Sequence, residues 1–321
     1  MKSSRSFPLR AFAFAFALAV PAALAAPAAA EERADGLAGP RALGMGGAHV
    51  AVPNDNAALW YNPAGISYGQ KYSIEAGYAY SFDLHSHVGF ISVVDSKSSK
   101  VGGGLSVSYL NSRPIDPDTG DTLIRTGYDV RFALSYPISD RVFLGFENKL
   151  VTRRVDPRGV EEPKGDDLGP ADFKKYALDV GVLVAIADGF TLGLAGRNLT
   201  LPKNPDMPTE LRAGFGVGLG IFMATADYVA DFTTISGKVA HSVHAGAEVF
   251  LFKALALRAG YELNGTEPDG MGGYDFGHWI SGGAAYVSPT FAIDAGYKRK
   301  LTGGVAGDTG DTFAVALRFF L

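Results

Sequence analysis

The sequence predicts an all-β protein, a 14-stranded antiparallel transmembrane β-barrel of the outer-membrane kind with an N-terminal segment in its lumen. Three observations predict it. Apolar and polar residues alternate with period two from about residue 71 to the end, the connections are by turns short and long, and the chain opens with an export signal.

The signal occupies residues 1–30. Lys2, Arg5 and Arg10 precede an apolar run from Ala11 to about Ala26, and small residues lead to Ala28, Ala29 and Ala30 before Glu31. The run is shorter than the roughly 20 residues a spanning helix requires, so it reads as a cleaved secretory signal, with Ala23-Leu24-Ala25 as a second cleavage point. No Cys follows, which excludes a lipid-anchored start of the usual bacterial kind and a fold held by disulfides. The net charge of −4 at pH 7 includes those three cations; the remainder is mildly acidic, and no basic block points to nucleic acid.

Residues 31–70 form a segment ahead of the first strand, and 71–321 the barrel. Strands are expected near 72–81, 86–95, 100–110, 124–137, 141–155, 173–187, 189–199, 208–219, 221–232, 238–250, 253–264, 275–287, 290–300 and 311–321. In the sixth, Tyr176, Leu178, Val180, Val182, Val184 and Ile186 share one face, and Ala177, Asp179, Gly181, Leu183 and Ala185 the other. Fourteen is an even number, as single-chain bacterial barrels require. Short turns at 137–140, 187–189, near Gly220, 252–253 and 288–290 alternate with longer connections at 111–123, 156–172, 200–207, 265–274 and 301–310. A meander that crosses a membrane has short turns on one side and long loops on the other.

The polar faces carry isolated charges of both signs among small residues. Arg131, Glu147, Lys149, Arg197, Arg212, His244, Glu248, Arg258, Glu262 and Arg318 are expected to form a polar network in the lumen, pairing across strands. His244 and Glu248 are read as a structural pair within it. Tyr78, Tyr80, Tyr109, Tyr128, Tyr136, Tyr228, Tyr261, Tyr286 and Tyr297 fall towards strand ends, as an aromatic girdle at the headgroups would. The closing residues "FAVALRFFL" look like the strand by which the outer-membrane assembly machinery receives its clients.

The segment "RALGMGGAHVAVPNDNAALWYNPAG" (41–65) follows neither strand nor helix period. Its Gly-x-Gly-Gly lacks the strand–turn–helix setting of a dinucleotide site, and no cofactor is implied. Asn62-Pro63 ends any helix begun near Asp55, because the residue before proline is pushed out of the α region. A fourteen-strand lumen is also too wide for wall side chains to fill, so something must plug it.

This segment resembles the N-terminal signature of the FadL/TodX group of outer-membrane transport proteins, with PorV-type relatives. A Gly-Met-Gly-Gly-Ala run and an Asn-Pro-Ala-Gly run stand in the right order behind a signal. The resemblance implies a lumenal hatch in which Gly44, Met45, Gly46 and Gly47 pack closely and Asn62, Pro63, Ala64 and Gly65 make a turn. It also implies a monomeric channel for passive uptake of small hydrophobic compounds, such as long-chain fatty acids or aromatic hydrocarbons. A PorV-like scaffold or shuttle for secreted proteins and a plugged general porin are the alternatives.

Consecutive Gly102, Gly103 and Gly104 are expected either to open a lateral gap in the third strand or to make room for the hatch. The loop at 156–173 is acidic and suits divalent cations bridging lipopolysaccharide phosphates. Asp116, Asp118 and Asp121 form a weak cation-loop pattern without the closing Glu, so an ordinary surface turn is favoured. His85 and His87 are read as solvated loop residues rather than metal ligands. No nucleophile–base arrangement is legible, and the reading is that of a non-enzyme.

Overall fold

The computed structural model describes residues 39–69, 71–113, 122–158, 173–202, 204, 207–233, 239–266, 275–303 and 310–321. The signal segment and Asp116, Asp118 and Asp121 lie outside these residues, as does most of the acidic 156–173 loop.

Strands β1 (Tyr72–Ser81), β2 (Ser86–Asp95), β3 (Gly102–Ser112), β4 (Thr122–Ser139), β5 (Val142–Arg158), β6 (Phe173–Ala187) and β7 (Phe190–Arg197) form the first half of the wall. Strands β8 (Glu210–Leu219), β9 (Phe222–Asp231), β10 (Ala240–Leu251), β11 (Leu255–Thr266), β12 (Asp275–Val287), β13 (Phe291–Thr302) and β14 (Thr312–Phe320) complete it. Each pairs antiparallel with its chain neighbours, and β1 closes on β14 from Ser73↔Phe320 to Ser81↔Thr312. Closure leaves no unpaired strand edge, as a wall in hydrocarbon requires.

The period-two pattern sets which side faces out. On β4, Tyr128, Val130, Phe132, Leu134 and Tyr136 are exposed, while Asp129, Arg131, Ala133 and Ser135 between them are buried. A wall that shows its apolar side chains and hides its charges is inverted relative to a water-soluble fold, and it fits lipid surroundings. The strand pattern falls close to the sequence expectation, except that β4 and β5 run on to pair Thr122 with Arg158. A connection rich in Asp, Gly and Pro reads as loop, yet its first residues continue the ladder.

Residues 39–69 lie inside this wall as short helices α1 (Pro40–Gly44), α2 (Ala58–Tyr61) and α3 (Gly65–Gly69) joined by turns. Gly46 and Gly47, at φ 66° and 78°, end α1 by turning their N–H groups back onto the Leu43 and Ala42 carbonyls at 3.1 and 2.9 Å. Asn62 is extended at φ −159°, which carries the chain out of α2 ahead of Pro63.

The lumen is fitted to this backbone by wall glycines. A Cβ on Gly246 would stand 2.5 Å from the Met45 carbonyl oxygen, and one on Gly46 would stand 2.7 Å from Tyr261 N. Gly260 lies against the Gly46 backbone, Gly145 against Pro63-Ala64, Gly181 against Asn62 and Gly193 against Val50.

Gly102, Gly103 and Gly104 open no lateral gap. They pair with Ser135, Leu134 and Ala133 on β4, and Gly103 and Gly104 also with Asp95 and Val94 on β2. Side chains on Gly102 and Gly104 would strike Ile66 and Leu59 of the inner segment, so these two glycines supply space for it.

Gly260→Val should therefore lower stability by about 1–3 kcal/mol or more, as overpacking does. Gly103→Val, whose Cβ would meet nothing nearer than 4.0 Å, should be near neutral. Urea unfolding of the two variants in detergent micelles measures the difference.

Candidate functional site

The contact between inner segment and wall has a charged side and an apolar side. On the charged side, Arg41 of α1 reaches across to β10. Its Nε and Nη2 donate to the two Glu248 carboxylate oxygens at 3.0 Å each, and Nη1 donates to Asn54 Oδ1 at 2.5 Å and to Asp55 Oδ2 at 3.3 Å.

From Glu248 the chain of charges continues along the wall. Arg258 Nε donates to Glu248 at 2.6 Å and its Nη1 to Asp294 at 2.7 Å. Arg318 stands 3.9 Å from Asp294, 3.6 Å from Asp55 and in direct contact with Glu75. Arg41, Glu248, Arg258, Asp294, Arg318 and Asp55 thus form a closed ring of alternating sign. Four of its members are on the wall and two, Arg41 and Asp55, on the inner segment.

Asp55 is the hub on the inner side. It also accepts from Ala57 N at 3.0 Å and pairs with His49 Nε2 at 3.0 Å. Burial alone would push its carboxyl up, but His49, Arg41 and Arg318 around it hold it well below the usual carboxylate range. Asp227 of β9 takes the neighbouring His49 and Val50 N–H groups at 2.6 and 2.7 Å, and Asn62 Nδ2 donates to Val50 O at 2.9 Å and Val182 O at 3.1 Å. Backbone N–H groups of a segment without regular structure are met by a wall carboxylate, and its Asn62 amide by a wall carbonyl.

The remaining lumenal charges pair along β4 to β8. Arg153 meets Asp129 at 2.5 Å, Arg131 meets Glu147 at 2.9 Å and Lys149 meets Asp179 at 2.7 Å. Arg197 bridges Asp179 and Glu210 at 3.6 and 3.4 Å, and Arg212 joins Glu210 at 2.6 Å. Outside that run, Lys298 of β13 holds Glu262 of β11 at 3.2 Å.

All ten residues singled out in the sequence for a lumenal network lie inside the barrel, yet His244 and Glu248 do not pair with each other. Four residues along a strand separate them by about 13 Å. His244 instead meets the Gly46 carbonyl through Nδ1 at 2.7 Å and stands 3.9 Å from Glu262. His85 sits in the 82–85 turn, His87 Nδ1 shares a hydrogen bond with the Tyr78 hydroxyl at 2.6 Å, and no metal-holding group is found among the described residues.

Sequence reading missed Arg41 and Asp55. A signal was present: they are the sole Lys, Arg, Asp or Glu side chains between residues 39 and 69. Two opposite charges in a segment bound for a lumen need partners there.

The apolar side faces β14, β1, β2 and β3. Ala314, Ala79, Val88 and Leu110 form one inward row across these strands, and Leu43 of α1 packs into it. Phe90 and Ala316 follow, with Trp60 edge-on to Phe90 at 5.3 Å. Beyond the small side chains Ser92 and Ser106, Val94 meets Leu59 and Ile66 near Gly104. An apolar seam between inner segment and wall therefore runs from the long-loop end as far as Phe90 and Ala316, is crossed by the row of Arg318, Glu75 and Ser92, where Asn56 Nδ2 donates to Ser92 Oγ at 3.0 Å, and resumes at Val94.

Arg41→Ala leaves Glu248 with Arg258 alone and takes one of its cations from Asp55. It should cost about 3–5 kcal/mol, the range for breaking a buried pair. The chain has no cysteine, so a single Cys introduced at Ala48 should become reactive towards a soluble maleimide in that variant and stay protected in the parent.

No protein-family model and no curated protein matches the chain. Solved structures do. The CymD monoaromatic hydrocarbon channel superposes with a TM-score of 0.65 at 12% identity, covering 90% of this chain and 98% of that one. A Pseudomonas aeruginosa FadL homologue gives 0.62 at 15% identity over 93% and 99% of the two chains, and the Ralstonia pickettii toluene transporter TbuX gives 0.61 at 13% over 88% and 98%. The chain thus has, over nearly its whole length, the fold of the FadL- and TodX-type barrels.

Proposed function

We propose that the protein is an outer-membrane channel through which small hydrophobic compounds, of the aromatic-hydrocarbon or long-chain fatty-acid class, pass passively along the seam beside a fixed inner hatch. The observation that carries this reading is the division of the lumen. On β4 to β8 the inward side chains are paired ions, which would have to be broken to admit an apolar solute. On β14 to β3 the rows Ala314-Ala79-Val88-Leu110 and Ala316-Phe90 are apolar, and there a solute displaces dispersion contacts with Leu43 and Trp60 before it meets the row of Arg318, Glu75 and Ser92.

The fold's neighbours, a hydrocarbon channel and a toluene transporter, support the same solute class. The export signal and the closing "FAVALRFFL" strand fit delivery to an outer membrane as a monomer lodged among lipid and lipopolysaccharide. The buried charge ring weighs against an open porin, since a freely moving plug would carry Arg41 and Asp55 out of their pairings.

Val88→Asp and Leu110→Asp place an unpaired charge on the seam and should abolish entry of radiolabelled toluene into cells, while the barrel still migrates as a folded species on unheated gels. Toluene entry that persists at parental rate in both variants would refute the seam as the route. Deleting residues 31–70 should instead raise single-channel conductance in planar bilayers from near zero to that of an open pore.

A further inference from the structure

Just outside the apolar row lies a row of hydroxyls. Thr312 of β14, Ser81 of β1 and Ser86 of β2 face inward side by side, with Ser81 the register partner of both others. Residues directly opposed on antiparallel strands have their Cβ atoms about 4.5–5.5 Å apart, so the three hydroxyls form one patch. All three residues are completely buried, and none of the three oxygens has a hydrogen-bond partner among the described residues.

Unpartnered hydroxyls are costly inside a protein, and these three stand side by side on adjacent strands. Their neighbour Ser112, at the end of β3, is already engaged with the Leu84 carbonyl at 3.4 Å. Leu84 itself is buried in the 82–85 turn, the shortest connection at the long-loop end. Immediately inside the hydroxyls stand Ala314, Ala79, Val88 and Leu43. The patch is therefore polar on one side and apolar on the other, at the outer entrance of the seam.

We infer that Ser81, Ser86 and Thr312 form an entry subsite for hydrophobic molecules bearing one neutral hydroxyl, such as phenols and alcohols. The ligand's hydroxyl meets the three oxygens and its hydrocarbon part lies on the Val88 row. The charge state follows from what surrounds the patch. Lys298, opposite Thr312 on β13, is held by Glu262 at 3.2 Å and so is not offered to a carboxylate. A hydroxyl can both donate to and accept from the three oxygens, whereas a plain hydrocarbon leaves them unpaired, which is how a polar site discriminates. The inference rests on the proposed passage of hydrophobic solutes and adds a preference within that class.

The test compares toluene with p-cresol, which has the same ring and methyl group plus one hydroxyl. Equilibrium dialysis of the full chain in detergent, with protein-free micelles subtracted, gives both dissociation constants. The parent is expected to bind p-cresol about tenfold tighter than toluene after micelle partitioning is removed, the worth of one or two recovered hydrogen bonds. In S81A/S86A/T312V the p-cresol constant should weaken to that of toluene, and the toluene constant should hold or tighten.

A second readout separates a ligand site from structural hydroxyls. Because the triple variant removes unpaired polar groups, its ligand-free thermal unfolding should occur at or above the parental temperature. A lower unfolding temperature would mean that the hydroxyls serve the fold, and it overturns the inference. So does a parent that binds toluene yet shows no preference for p-cresol, with the passage reading intact. Absence of binding for either compound removes both.

Discussion

Arg41 holds the interior together. A segment with little regular structure sits in the middle of a membrane wall, where each of its polar groups must find a partner inside the protein. Arg41 and Asp55 carry its two formal charges, and the wall answers them with Glu248 and Arg318, themselves locked to Arg258 and Asp294. In a ring of alternating sign each ion has two opposite neighbours, so removing any one leaves two buried charges incompletely met. Position and electrostatics are thus coupled: the inner segment cannot shift without breaking pairs in an interior where water does not replace them.

That constraint shapes what remains of the lumen. Because the segment is tethered to β10 and β14 by ions and fitted to β5, β6, β7, β10 and β11 by glycine backbone, the freedom left to it is where Leu43 and Trp60 meet the apolar rows of β14 to β3. Dispersion contacts are individually weak and non-directional, so side chains there can move aside and return at small cost. The same chain is rigid where it is charged and compliant where it is apolar.

Much of this was legible in the residues. Strand number, facing and the alternation of short and long connections all follow from period-two patterning, since a strand in lipid must show one face to hydrocarbon. The lumenal charges could be named one by one for the same reason. Their pairing could not. His244 and Glu248 look like partners by proximity in sequence, whereas the cross-strand register sets Glu248 beside Arg258, and the inner segment brings Arg41 to Glu248 and the Gly46 carbonyl to His244. Gly102 to Gly104 likewise admit two readings until it is known that Leu59 and Ile66 press on that wall.

By itself the sequence determined that the chain closes into a fourteen-strand barrel, which side chains enter the lumen, and that residues 41–65 stand apart from the ladder. These depend on local periodicity and on the absence of water in the membrane, both readable along one dimension. Tertiary structure alone decided the ion ring, the apolar rows beside it, and the row formed by Thr312, Ser81 and Ser86. Each joins residues from β14 to β1, or from the inner segment to the wall, separated by up to more than two hundred positions. Strand register and barrel closure bring them together, and no local pattern encodes either.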